Sequence, residues 1–392
     1  MHTLIASALD LNDSGYTNFL NGTGLLLSGT SPTFQGGINA TGGDVLLLAP
    51  TVKNDGAITT PSGQTLLLGG SDVVLTKADS YVRGFFVTPN PNLRDPNLPN
   101  GFYSSTTPGS VVNNGSISAP HGNVTIVAGT VEQNGIVTST TSTTKNGSII
   151  IRAETDTLLL GGPNDNPLYG QFGVAAQPSL LQIIPDPNDT SLITDIQAIA
   201  NSSISLTGVN VDIRGIVQLR GYDLITPTAP ANSYDPAPGI SITATGLYNG
   251  GTNSVTGQVF LESGSLIDAS GTTDATASAS RNSVAVQLRV NELADSPLVR
   301  AGLLYQQTIY VDASASGTYA DGETWYGTPL ANASGWISGI TRSLDERMMN
   351  GAPITISGGS SPIAGVPLAV NMVQATGSII NVSGGYLTTA ER

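Results

Sequence analysis

One phrase is written twice in this chain. Asn54 to Gly70 reads NDGAITTPSGQTLLLGG, and Asn113 to Gly129 reads NNGSISAPHGNVTIVAG. The identical positions are Asn54/Asn113, Gly56/Gly115, Ile58/Ile117, Pro61/Pro120, Gly63/Gly122 and Gly70/Gly129. The same Gly–aliphatic–Gly signature stands earlier at Gly36, Ile38 and Gly43, and the offset from Gly36 to Gly56 is 56 − 36 = 20. The octet APTVKNDG (Ala49 to Gly56) aligns with AGTVEQNG (Ala128 to Gly135), and Gly135 follows Gly115 at the same offset, 135 − 115 = 20. A period of 20 suits one coil of a parallel β-helix, in which three short strands and three bends stack about 4.8 Å above the previous coil. On this ruler the offset of 59 from Gly56 to Gly115 reads as three periods, with a Pro-rich insertion inside them, and that of 79 from Gly36 to Gly115 as four. The expectation is an all-β solenoid of ten or more coils.

The residue types agree. Segments such as GDVLLLA, QTLLLGG, DVVLT, NVTIVAG, SIIIRAE and ISITATG are short, β-branched and bounded by Gly, Asn or Pro. Asn-Gly and Asp-Gly at the bends are expected to supply positive φ. In VNVDIRG, Val209, Val211 and Ile213 fall on one face, Asp212 and Arg214 on the other, so the wall is dry inside and wet outside. Leu46 to Leu48 and Leu66 to Leu68 are apolar on both faces; their outer side is either covered by an insertion or an exposed sticky patch. With 39% hydrophobic residues a core can form despite 47 glycines. The net charge of −14 argues against nucleic acid or anionic lipid as a partner. Cysteine is absent, which removes disulfides, thiol catalysis and thiolate zinc sites. No apolar run is long enough for a transmembrane helix. The opening MHTLIASALDLND lacks the basic n-region of a signal peptide.

Three stretches break the period. The chain divides into first coils over 1–78, a Pro- and aromatic-rich insertion over 79–110, coils over 111–160, an insertion over 161–200, coils over 201–290, a tryptophan-containing insertion over 291–351, and coils over 352–392. Phe85, Phe86, Phe102 and Tyr103 cluster in the first insertion, to pack over the leucine-rich coils or to anchor a partner. Helical spacing of Leu192, Ile193, Ile196 and Ile199 predicts a short helix, and Ile337, Ile340 and Leu344 predict a second that Gly351 stops.

These residues also carry a resemblance. LIASALDLNDSGYTNFLNG and GGINATGGDVLLLAPTVKNDGAI resemble the later part of the secretion domain of filamentous haemagglutinin-type exoproteins. The segment Asn291 to Ile337 resembles one typical of large members of that family. The resemblance implies a right-handed parallel β-helix, agreeing with the general hand of crossovers. It implies export through an outer-membrane two-partner-secretion transporter. It further implies adhesion to a host-cell, bacterial or glycan surface, and a secreted or cell-surface location for the full-length protein. The family's signal peptide and its early Asn-Pro-Asn-Gly-Ile element are not seen; the NPNL at Asn90 to Leu93 lies in an insertion and reads as a turn. The chain is therefore expected to be incomplete at its N-terminus.

Candidates for chemistry lie in the acidic loops. They are Asp165 in GGPNDNPLYG, Asp186 and Asp189 in PDPND, and Asp321 with Glu323 in YADGETWYG, the last beside Trp325 and Tyr326. A sugar-cleaving site needs two converging carboxylates, or a cation-bound cluster of them. Asx-turns are the simpler reading of these loops. His121 lies in a bend whose counterpart carries Ser62, and no nucleophile elbow, phosphate loop or calcium-loop pattern is present. The expectation is a non-enzymatic shaft without cofactor or metal, whose contact surface includes Phe85, Phe86, Phe102, Tyr103, Trp325 and Tyr326. The alternatives are a polysaccharide-active β-helix enzyme and the stalk of a contact-dependent toxin-delivery protein.

Overall fold

The computed structural model describes residues 4–7, 10–11, 25–28, 34–35, 38–40, 42–70, 72–77, 85–88, 109–167, 177–194, 197–225, 237–248, 254–255, 257–273, 275–288, 302–331, 333–358 and 370–390. They form a parallel β-helix of three walls. The first wall stacks Leu4–Ser7, Val45–Ala49, Gln64–Gly69, Asn123–Ala128, the first half of Ser148–Leu160, the first half of Ser203–Ile213, Gly239–Ala244 and Ile354–Gly358. The second stacks Phe34–Gln35, Thr51–Asn54, Ser110–Asn113, Thr130–Gln133, the second halves of the same two long strands, Gly257–Leu261 and Val370–Gln374. The third is an eight-stranded sheet from Ile38–Asn39 to Ile379–Asn381. Every one of these pairings is parallel and, except for one irregularity in the bend of the two long strands, in register.

The inward positions explain the stack. On the third wall the column is Ile38, Ile58, Ile117, Val137, Leu181, Val217, Ile267 and Ile380, aliphatic in all eight rungs. On the second it is Val52, Val111, Val131, Leu158, Val211 and Val259, and each is buried in one continuous core. Burying each such side chain stabilises the fold by about 1.5–3 kcal/mol. The outer face of the third wall carries a polar column instead. There Gln182 Nε2 donates to Gln218 Oε1 (2.6 Å), Gln218 Nε2 to Asp268 Oδ2 (2.8 Å), and Asn381 Nδ2 to Asp268 Oδ1 (3.0 Å).

Three sequence expectations change. The described residues form eight rungs, not ten or more. Asn54 pairs directly with Asn113, so the offset of 59 is one rung enlarged by an insertion rather than three periods, and the offset of 79 is two rungs. The period of 20 holds where the chain is uninterrupted, as between Asn113 and Gln133. The first insertion leaves directly after Gly69, because DVVLT (in Asp72–Lys77) joins an antiparallel sheet with Leu25–Ser28 and Phe85–Thr88 instead of a wall. Conversely Leu180–Pro185, inside the expected insertion over 161–200, is the third-wall strand of the fifth rung. Its Leu181 and Ile183 enter the core, and prolines at both ends disguise it.

The bends also work differently. Gly56, Gly115 and Gly135, in the Asp-Gly and Asn-Gly bends of successive coils, do not adopt positive φ. Gly115 is required because a Cβ there would strike the main-chain oxygen of Gly56 one rung away, and Gly135 meets Gly115 in the same way. Positive φ falls on the other bend, at Ser62 (57°) and its counterpart His121 (53°). The asparagines that open these bends point inward. Asn54 Nδ2 donates to Asn113 Oδ1 and Asn113 Nδ2 to Gln133 Oε1, both at 2.8 Å, in a fully buried amide ladder. The outer-face leucines Leu46, Leu48, Leu66 and Leu68 are buried as completely as the inward ones, so this face is covered, not exposed.

Neither expected helix forms as read. Leu192–Thr194 is a strand with Leu192 exposed. The second segment makes two single turns, Ser334–Ile337 and Leu344–Arg347, split by the strand Thr341–Ser343.

Candidate functional site

The tryptophan-containing insertion holds its own small core. The hairpin of Ser283–Gln287 with Thr308–Asp312 turns Val286 and Val311 inward, where they meet Leu288, Ala331 and Ala333 and pack against Ile309, Trp336 and Ile337. Alternation sends Tyr310 outward, 76% exposed. A second hairpin pairs Ser316–Thr318 with Thr324–Tyr326. Trp325 stands opposite Gly317, and its indole lies so close that a Cβ at Gly317 would overlap it. Tyr326, one residue on, faces outward and is 55% exposed. The two aromatics therefore lie on opposite faces and do not make a joint platform. Phe85 and Phe86 belong to the strand Phe85–Thr88, but their side chains, like the whole of Phe102 and Tyr103, lie outside the described residues.

This insertion is clasped to its neighbour. Thr341–Ser343 pairs antiparallel with Leu192–Thr194, and Ile193, Ile199, Leu344 and Met348 close an apolar cluster beneath. The turn Leu344–Arg347 begins with a capping box: Ser343 Oγ accepts from Glu346 N, and Glu346 Oε2 accepts from Ser343 N. Arg281 donates to Glu346 from the other side. The turn delivers Arg347 into the interior, its side chain 3% exposed. Its Nε and Nη2 donate to Asp223 Oδ1 (3.1 Å) and Oδ2 (2.7 Å), and Nη1 and Nη2 donate to the main-chain oxygens of Thr194 and Gln197, both at 2.9 Å. Asn201 holds Asp223 through its main chain, accepting from Asp223 N and donating to Asp223 O. Both charges are thus well partnered, which a buried ion pair requires. Composition does not reveal this pair, whose members are 124 residues apart. The Ser-x-x-Glu signature at Ser343 is the available signal for the turn that presents Arg347.

The acidic loops turn out to be architectural. Asp186 Oδ1 accepts from Asn188 N, and Asp189 Oδ1 from Ser191 N, the expected Asx-turns. Burial alone would raise the Asp189 carboxyl, but hydrogen bonds from Ser191 and Thr143 outweigh it and hold the pKa down to about 2. Asp165 accepts from Gly162 N, while its neighbour Asn166 donates to the main-chain oxygens of Asn114 and Asn134 and caps two bends. His121 Nε2 lies 2.7 Å from Asp186 Oδ2, a contact between a bend and a loop that the sequence does not suggest. Asp321 and Glu323 are exposed at a hairpin tip, where Asp321 Oδ1 accepts from Glu323 N. Among the described residues no group of three His, Cys, Asp or Glu converges as a metal would need. The carboxylate pair that most favours an enzyme in the sequence therefore stands exposed in a turn of its own.

No family model matches the chain, and neither does any curated protein. Among solved structures, the crystal structure of the HMW1 secretion domain from Haemophilus influenzae is similar, with 20% sequence identity and a TM-score of 0.42. The similarity covers 69% of this chain, and the chain spans 59% of that one's length.

Proposed function

We propose that this chain is a non-enzymatic segment of an exported bacterial exoprotein of the filamentous haemagglutinin type, a shaft whose insertions present the contact surface. The observation that carries this reading is the in-register stack of eight rungs among the described residues, whose wall strands pair with those of the adjacent rungs. A solenoid of this kind folds by adding coils to an existing end, which suits a chain emerging progressively from a pore. The family's motifs in the N-terminal part and at Asn291 to Ile337 supply the export route, a two-partner-secretion transporter of the outer membrane. Adhesion through Tyr326 and the aromatic insertion of Phe85, Phe86, Phe102 and Tyr103 is the corresponding contact role.

The test places the chain behind the signal peptide and N-terminal secretion element of a known two-partner exoprotein, co-expressed with that exoprotein's transporter. The chain is expected in the medium as a protease-resistant species whose attachment to cultured cells falls on Tyr326→Ser without loss of export. Retention inside the cell overturns the export reading. Full export with no attachment to any surface overturns the adhesive one.

A further inference from the structure

We infer that the outer face of the second wall carries a binding site for a neutral saccharide, independent of the insertions. Two columns of outward side chains border it. Thr157, Asn210 and Gln258 stack in one, and Asp212 and Phe260 in the other, two residues further along each strand. The open groove between them has a volume of about 360 Å³, at the small end of the range for small-molecule sites. The residues that alternate with them, Leu158, Val211 and Val259, turn their side chains into the core. The outward polar groups must therefore find partners in one another, in solvent or in a ligand.

The hydrogen-bonding groups of the groove are only partly used within the fold. Asn210 Oδ1 accepts from Gln258 N at 3.1 Å, but among the described residues no hydrogen bond engages Asn210 Nδ2 or the Gln258 side-chain amide. The Asp212 carboxylate is not offered to a ligand: Oδ2 takes both Arg214 Nε (3.1 Å) and Nη2 (2.7 Å), and Oδ1 is shielded from solvent. Phe260 sits beside them, half-buried, and offers an apolar ring. Planar amides next to an aromatic face are what a sugar ring needs: its hydroxyls pair with the amides of Asn210 and Gln258 and its C–H face stacks on the ring of Phe260.

Charge selects the kind of sugar. Arg214 is surrounded by Asp212, Asp165 (3.4 Å) and Glu262 (4.0 Å), so three carboxylates stand against one guanidinium. An anionic sugar is repelled. An extended peptide is also disfavoured, because the wall strands Ser203–Ile213 and Gly257–Leu261 are paired on both sides and offer no free backbone edge.

The test uses the full chain with maltotriose, cellotriose and, as the anionic control, trigalacturonate, read by saturation-transfer NMR and titration calorimetry. At least one neutral trisaccharide is expected to bind at millimolar concentration, with trigalacturonate about tenfold weaker or worse. Phe260→Ala and, separately, Gln258→Leu are each expected to weaken binding about tenfold. Gln258→Leu removes no side-chain bond of the fold, so it remains informative should Phe260→Ala unfold. Absence of transfer from both neutral sugars, equal binding of trigalacturonate, or binding unchanged in a folded Gln258→Leu variant overturns the assignment. None of these outcomes bears on export, which is read separately.

Discussion

Asp189 shows how one side chain can tie two rungs at a corner. Its Oδ2 accepts from Thr143 N (2.7 Å) and Thr143 Oγ1 (2.9 Å), 46 residues away, while Oδ1 closes its own turn on Ser191. Its folded pKa, about 2, lies below the ordinary value of 3.8. The stabilisation is therefore complete above about pH 4 and is lost as pH falls through about 2. Asp189→Ala is expected to cost roughly 1–2 kcal/mol at neutral pH, and urea melts of the two proteins should converge in strong acid. The amide ladder makes a different demand. Asn113→Leu leaves the buried amides of Asn54 and Gln133 without the bridge between them. It is expected to cost about 2–4 kcal/mol. Gln133→Leu should cost less than half as much. Gln133 Nε2 is already without a partner where the ladder meets Leu160, so the substitution removes one orphan as it creates another. Urea midpoints of the two variants check the order. Sequence shows these asparagines as bend residues but not their inward aim, because the same Asn-Gly pair serves a left-handed turn or a close approach equally well.

At the scale of elements, most wall strands are legible in the sequence, but the internal folding of the insertions is not. Ile38, Ile58 and Ile117 announce the third wall because an inward aliphatic position repeats whatever the bends contain. The strand Leu180–Pro185 escapes notice because its period is broken on both sides. The insertions fold by contacts distant in sequence, of which Arg347 with Asp223 is the most deeply buried ion pair among the described residues. Truncating one member leaves the other charge buried and unpaired, a loss of about 3–5 kcal/mol. Arg347→Met should accordingly open the pairing of Leu192–Thr194 with Thr341–Ser343 while the walls persist. Hydrogen exchange would show this as lost protection at residues 192–194 and 341–348 with little change over Asn123–Ala128. Uniform loss of protection along the chain would mean the clasp belongs to the shaft's own stability. Replacing Asp223 as well, with Asn, should recover part of the loss, because the uncompensated charge is then gone.

At the scale of the molecule, the repeat length makes a sharper claim than any single contact. If each rung is held only by its neighbours, removing one whole period should leave a shorter stack in register. Deleting residues 114–133 joins Asn113 to Asn134. It would set Ile136–Thr141 above Ala57–Thr59, the first half of Ser148–Leu160 above Gln64–Gly69, and its second half above Ser110–Asn113. All three walls then keep their inward aliphatic columns, with Ile58 meeting Val137 and Val111 meeting Leu158. The deletion does remove the Asn113–Gln133 step of the amide ladder, the Asn114–Asn134 bond, the contact of His121 with Asp186, and half of the cap made by Asn166, so the product should be less stable than its parent. It should still unfold cooperatively and keep a strand-rich circular dichroism spectrum. Deleting only residues 124–133, half a period, should give no folded product. That cut removes the first- and second-wall strands of one rung but keeps its third, so Ile136–Thr141 arrives where a first-wall strand belongs and every later strand follows it onto the wrong wall. A half-period deletion as stable as the full-period one would show that stacking register does not govern this fold.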